Sequence, residues 1–230
     1  MDKPNAILFD IDGTLITTGG AGAVAWRRAF DELYGIPADI GKYSDAGMTD
    51  PEVGQKTFAA VIGREPTPRE LARVMAIRLK YLPEAVAESE GYRVLGGVEE
   101  LLPRLVDEGY LLGLTTGGTD SAAHIKLARA NLARWFTFGG YGSDSNDRTE
   151  LTRKAIERAG LLLGMELNPR SVLVVGDTPL DIAAAHGAGA VAVGVASGHF
   201  TAEQLQEAGA DVVLESLREA LPGVEAEGSA

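Results

Sequence analysis

Three short apolar runs, each ending in a polar residue, constrain this chain more than any other feature. Ala6-Ile7-Leu8-Phe9 ends at Asp10, with Gly13 just beyond. Leu111-Leu112-Gly113-Leu114-Thr115 ends at Thr116-Gly117-Gly118, and Val172-Leu173-Val174-Val175 ends at Gly176-Asp177. None has a helical period, so each reads as a buried strand leading into a loop. Residues 191–195 and 211–214 are further candidates, and 136–138 is a weaker one. Helical patterns lie between them: 98–106, 121–132 with Thr119 or Asp120 as N-cap, 150–163, and 182–186 with Gly187 as its stop. Strands alternating with helices predict an α/β fold, a Rossmann-like parallel sheet covered on both faces.

Residues 19–91 break that rhythm. They carry helical segments at 23–33, 50–62 and 67–82 and no convincing strand. The expected organisation is an α/β core formed by 1–18 and 92–230, with 19–91 as an inserted all-helical cap domain. Trp26, Phe30 and Leu33 fall at helical spacing and read as the core of that insert. Gly19-Gly20-Ala21-Gly22 looks like a phosphate-cradling loop, but it lacks the preceding strand and the Lys-Ser/Thr of a nucleotide loop. It reads better as a hinge into the insert. The small, polar stretch 223–230 reads as a frayed end.

In an open parallel sheet, ligands bind at the carboxyl ends of the strands. Asp10-Ile11-Asp12-Gly13-Thr14-Leu15, Thr115-Thr116 and Gly176-Asp177-Thr178-Pro179-Leu180-Asp181 would all arrive there. Neighbouring strand residues point to opposite faces, so Thr116 belongs to the site and Thr115 to the core. Several carboxylates in one cleft repel each other unless a cation sits among them. Oxygen donors with room for water suit Mg²⁺. A carboxylate can attack phosphorus, and Gly13 permits the tight bend that brings Asp12 beside Asp10 as general acid and base. Alone, Asp10 and Asp12 would pass for turn formers, and Asp181 for the N-cap of a helix starting at Ile182.

Composition narrows the partners. The net charge is -12 and the 21 basic residues are scattered, which disfavours nucleic acid. With no cysteine there is no disulfide, thiolate metal site or cysteine nucleophile. No apolar run approaches the roughly 20 residues that span a bilayer, so no membrane partner is expected. Met1-Asp2-Lys3-Pro4 leads straight into an apolar run, unlike a secretory signal, and the expected location is cytoplasmic. The expected state is a monomer or homodimer. His124, His186 and His199 lack neighbours at metal-ligand spacing and read as surface or packing residues.

The segment Asp10-Ile11-Asp12-Gly13-Thr14-Leu15 resembles the first signature of the haloacid dehalogenase superfamily of phosphohydrolases. Thr116 fits the second signature, and Gly176-Asp177-x-x-x-Asp181 fits the fourth. The likeness covers nearly the whole chain and is greatest to phosphoglycolate-phosphatase-like and sugar-phosphatase-like members with a helical cap after the first strand. It implies that Asp10 is the nucleophile, forming an aspartyl-phosphate, and that Asp12 is the acid and base. It also implies that Asp10, Asp12 (through its carbonyl), Asp177 and Asp181 bind Mg²⁺, and that Thr116 holds a phosphoryl oxygen. The implied substrate is a small phosphorylated metabolite such as phosphoglycolate or a sugar phosphate. A sugar phosphomutase uses the same aspartates, and a non-catalytic phosphoester-binding protein is the alternative outside enzymes. Dehalogenation needs neither Asp12 nor a metal, and phosphonate hydrolysis would need a cap lysine, for which Lys42, Lys56 and Lys80 have no distinctive setting.

The match departs from the family pattern at three places. The third signature is normally a lysine, often followed by proline, and no Lys-Pro precedes Gly176 in the expected region. Arg148 is the preferred substitute because guanidinium binds phosphate through two parallel hydrogen bonds. Lys126 competes, but some ten residues after Thr116 it would lie roughly 15 Å along the helix, at the limit of reach; Lys154 is a third option. Gly118 stands where relatives often carry Asn, leaving main-chain N–H groups of Gly117, Gly118 and the helix start to meet the phosphate. Finally, Gly47-Met48-Thr49-Asp50 resembles a cap loop that in many relatives reads Gly-Arg/Lys-Thr-Asp and selects the substrate. With Met48 in place of that cation, phosphoglycolate is not the expected preference.

Overall fold

The computed structural model describes residues 3–224. Its centre is a six-stranded sheet in which every pairing is parallel. The strands are β1 (Ala6–Phe9), β4 (Leu111–Thr116), β5 (Gly139–Tyr141), β6 (Val172–Gly176), β7 (Val191–Val195) and β8 (Val212–Leu214), ordered β5-β4-β1-β6-β7-β8. The three runs that end in site residues are therefore β4, β1 and β6, side by side in the middle of the sheet. β1 is buried on both faces: Ile7 and Phe9 join one apolar core, Ala6 and Leu8 the other. That two-sided burial explains why β1 reads as a continuous apolar run rather than an alternating one. Helices α4 (Val98–Asp107), α5 (Asp120–Ala128), α6 (Arg148–Leu163), α7 (Pro179–Gly187) and α8 (Ala202–Glu207) alternate with these strands.

Residues 19–91 hold α1 (Ala21–Tyr34), α2 (Asp50–Ile62) and α3 (Pro68–Glu88). Both α2 and α3 open on a capping box, Thr49 with Glu52 and Thr67 with Glu70, and carry a proline in the first helical positions. Those signals fix helix starts locally, which is why both boundaries were readable. Trp26, Phe30, Phe58 and Val74 form the apolar centre of this layer, with Leu33 packed against it. At its base, β2 (Ile16–Thr18) pairs antiparallel with β3 (Tyr92–Val94), so the chain enters and leaves the layer through one two-stranded ribbon. Neither of these short strands was expected.

Other elements differ from the sequence reading. The edge strand lies at Gly139–Tyr141, not at 136–138. Phe136 and Phe138 are buried as anchors, Phe136 edge-on to Phe9 and Phe138 over Gly113. α6 crosses at Gly140, where a Cβ would strike the Leu151 carbonyl, and a Cβ on Gly139 would press on the Tyr141 ring. α3 runs through Pro83 to Glu88 because Leu82, Ala85 and Val86 are buried against α1 and α5. α5 is shorter than expected and ends before Asn131, which adopts a left-handed φ of 56°. α7 starts at Pro179 under a Thr178 cap, and Gly187 lies within it, with the left-handed turn at Gly189. Among the described residues no helix is long and apolar enough to cross a membrane. Leu217, Leu221 and Val224 pack into the core, whereas the rest of the presumed frayed end, residues 225–230, lies outside the described residues.

Candidate active site

The pairing of β1 with β6 continues one residue past the strand, where Asp10 N–H donates to the Val175 carbonyl at 2.8 Å. The chain then folds back on itself: Leu15 and Ile16 N–H both reach the Ile11 carbonyl at 3.0 Å, and Gly13 N–H reaches Ile16 at 2.8 Å. Gly13 sits at φ 90°, in the left-handed region, and a Cβ there would fall inside the Asp177 carboxylate. Gly198, in the loop after β7, presses on the same carboxylate from another side. Two missing side chains thus make the slot for Asp177. Thr14 Oγ1 donates to Asp177 Oδ1 at 3.3 Å, and Ser197 Oγ donates to the Gly13 carbonyl at 2.7 Å. Asp181 is not the N-cap of α7 but its third residue. One of its oxygens, Oδ2, accepts from Thr178 N–H (3.1 Å) and Oγ1 (2.7 Å), leaving Oδ1 for the site.

Asp10, Asp177 and Asp181 are all buried, and one oxygen from each lies within 4.8 Å of the others. Burial, then the Asp181 charge, push the Asp10 carboxyl well above its ordinary range; Arg148 opposes this. The same two causes raise Asp177 from 3.8 to about 7, against the Thr14 hydrogen bond. Such a cluster holds more negative charge than the protein neutralises there. Buried oxygen donors at this spacing suit a small hard divalent cation such as Mg²⁺. Asp12 lies just outside this trio, at the more open mouth of the site, where its side chain is 44% exposed.

Two of the three candidate cations converge on the site. Arg148 opens α6; one of its terminal nitrogens contacts Asp181 Oδ1 and lies 3.5 Å from Asp10 Oδ1. Its other terminal nitrogen donates to the Gly47 carbonyl at 3.0 Å. Burial opposes the charge of this guanidinium, but Asp181 and Asp10 more than offset that and raise its pKa. Lys126 is within reach after all, because its ammonium contacts Asp12 Oδ2. The 117–119 turn consumes part of the separation, so Lys126 lies only roughly 9 Å into α5, and its side chain leans back toward the helix start. Lys154 is excluded, since it is exposed on α6 and paired with Glu157 at 2.7 Å.

Thr116 is buried at the end of β4, and its hydroxyl accepts from Gly118 N–H at 3.2 Å. Thr115 faces the other way, to Thr152 at 3.1 Å, as its place in the strand predicted. Gly117 is tight against the 47–50 loop, where a Cβ would come within 2.5 Å of the Met48 carbonyl. Three of the main-chain donors expected to stand free at the start of α5 are engaged, Gly118 with Thr116, Thr119 with Asp50 and Asp120 with Ser143. Met48 lines the cavity, and its sulfur touches Lys56 Nζ at 3.6 Å.

Asp10, Asp12, Thr116, Lys126, Arg148 and Asp177 face one cavity of about 350 Å³ beneath the helical layer. Residues missed by the sequence reading also line it: Thr17, Thr18 and Arg93 from the β2–β3 ribbon, and Ser197, Gly198 and His199 after β7. His199 is exposed, as a surface residue should be, and it also lines the cavity. A fourth apolar run ending in Ser197-Gly198 was the signal available, since it ends at the same edge of the sheet as the other three.

A family model described as haloacid dehalogenase-like hydrolase matches residues 4–189. The phosphoglycolate phosphatase of Salmonella typhi is 27% identical over 95% of this chain and 91% of its own length. That of Pseudomonas putida is 28% identical over 96% of this chain and 79% of its own length. Among solved structures, a hydrolase from Pseudomonas syringae superposes with a TM-score of 0.70 at 25% identity, covering 93% of this chain and 94% of that one.

Proposed function

The chain belongs to the haloacid dehalogenase-like hydrolases, and from that premise we propose that it is a Mg²⁺-dependent phosphatase acting on a small phosphomonoester. The observation that carries this reading is the trio of buried carboxylates, Asp10, Asp177 and Asp181, converging within 4.8 Å at adjoining strand ends. Asp10, Asp177, Asp181 and the Asp12 main chain would hold Mg²⁺, which would offset the charge of an incoming phosphate.

In the first step an Asp10 oxygen bonds to phosphorus while the phosphorus–oxygen bond to the leaving alcohol breaks. Asp12 gives that alcohol its proton. In the second step Asp12 takes a proton from water, the water oxygen bonds to phosphorus, and the bond to Asp10 breaks, releasing phosphate. Lys126 orients the Asp12 carboxylate through their contact, and Arg148 steadies Asp10 against Asp181. The Thr116 hydroxyl receives a phosphoryl oxygen. Residues 19–91 serve as a cap that shuts the cavity from water during these steps. The relatives are named for phosphoglycolate, but Met48 places no cation on the cavity wall at the loop position that selects the substrate. A substrate without a carboxylate near its phosphate therefore fits better.

Phosphate release from a panel of esters, with Mg²⁺ and again with chelator, tests this reading. The expected result is chelator-sensitive release, faster on neutral sugar phosphates than on phosphoglycolate. A strong phosphoglycolate preference would overturn the substrate reading, and isomerisation of a sugar phosphate without phosphate release would replace hydrolysis by mutase chemistry.

A further inference from the structure

The 47–50 loop is stitched to the catalytic floor at several points. Arg148 donates to the Gly47 carbonyl at 3.0 Å, and Thr49 Oγ1 lies 3.2 Å from Asn146 Oδ1. Asp50 supplies two more links: its N–H donates to the Gly117 carbonyl at 2.7 Å, and its Oδ2 accepts from Thr119 N–H at 2.9 Å. One residue of the helical layer therefore grips both sides of the turn that follows Thr116.

Asp50 has no capping duty to explain its presence, since Thr49 already caps α2. The same Oδ2 accepts from Arg78 Nη1 at 2.7 Å, and Arg78 is only 1% exposed. Arg78 comes from α3, lies 5.2 Å from the Trp26 ring, and has a buried Nε with no partner. Burying such a pair costs desolvation that its attraction does not reliably return, so stability alone is a poor reason for it. Its geometry offers a better one. Arg78 holds the Asp50 carboxylate in place inside the layer, and that carboxylate holds Thr119 in the core.

We propose that Asp50 is a positioning residue: by accepting from Thr119 N–H while backed by Arg78, it sets the Thr116–Thr119 turn in the conformation that receives the transferring phosphoryl group. The proposal rests on the phosphatase reading for the role of Thr116. It adds that a seated 47–50 loop and a competent phosphate turn are one state. A substrate that lets the loop lift also loses its phosphate site.

Two double variants isolate the effect. Asp50→Asn with Arg78→Met removes the ion pair but keeps an acceptor for Thr119 N–H. Asp50→Ala with Arg78→Met removes both. The readouts are thermal midpoint, the dissociation constant of inorganic phosphate with Mg²⁺ by calorimetry, and kcat/KM. The alanine double variant is expected to bind phosphate about tenfold more weakly than the asparagine one, the scale of one hydrogen bond, and to lose kcat/KM by at least as much. Arg28→Met, which breaks the exposed Arg28–Glu84 pair between α1 and α3, should leave phosphate binding unchanged. Equal phosphate affinity in the two double variants would overturn the positioning role, whatever their midpoints. If the wild type hydrolyses no ester yet the two variants differ in phosphate affinity, the positioning role stands and the phosphatase reading falls.

Discussion

The catalytic floor and the helical layer above it are built on opposite principles. In the floor, Asp10 and Asp177 each follow directly from a strand and Thr116 ends one, so hydrogen-bonded backbone fixes where the side chains start. In the layer, the Asp50 carboxylate that reaches the site is held by a side chain of another helix, Arg78. The floor also gathers more buried carboxylates than its Arg148 and Lys126 offset, whereas in the layer Arg78 matches Asp50 one to one. The difference teaches that the groups set at the sheet are placed by hydrogen-bonded backbone, and the carboxylate above them by a side-chain pair.

The largest effect that would sharpen this contrast is Asp10→Asn. It should lower turnover by at least about a thousandfold, as loss of a nucleophile does, while leaving circular dichroism unchanged. Next is Asp12→Asn, expected to cost about a hundredfold to ten-thousandfold and to trap a phosphorylated chain, visible as a phosphoryl mass increment on intact protein. A fast-turning Asp12→Asn variant would break the assignment of proton transfer to that loop. In the layer, Phe58→Ala removes a fully buried ring and should cost about 3–5 kcal/mol of stability by chemical denaturation. At temperatures where that variant stays folded, kcat should hold within a few-fold; a loss as deep as that of Asp10→Asn would erase the distinction between the two regions.

A smaller effect concerns pH. Asp10 and Asp177 bind their protons more tightly in the folded chain than their ordinary value of 3.8 implies, Asp177 with a pKa near 7. The Asp177 contribution to stability is therefore full below about pH 4 and is lost as pH rises through about 7, and the Asp10 contribution has the same sign. With chelator present, the thermal midpoint should fall between pH 5 and pH 8. Mg²⁺ should restore the loss at pH 8 and do little at pH 5, and Asp177→Asn should flatten the profile.

The same contrast explains what could be read in advance. Asp10 and Asp177 were legible because each ends an apolar run at the sheet edge where ligands gather. The start of α2 was legible because Thr49, Pro51 and Glu52 are a local signal. Lys126 was misjudged because linear distance along a chain ignores both the turn at 117–119 and the backward lean of helical side chains. Gly139–Tyr141 was missed because its glycines carry no strand preference of their own; Gly140 makes way for α6, and Gly139 for Tyr141 and Leu114. Gly13 and Gly198 framing one carboxylate, and Asp50 meeting Arg78 and Thr119, depend on segments brought together only by folding. No local pattern encodes such meetings.

The ribbon of β2 and β3 has one more consequence. Thr18 faces Tyr92 across it, and Gly19 and Gly91 pack so closely that a side chain on either would collide with the other. Seen from the sheet, the seventy-odd residues between them occupy the place of a hairpin turn. Their length and content can be rewritten over evolution without asking any strand of the core to find a new neighbour, which leaves this stretch free to diversify while the chemistry beneath it stays put.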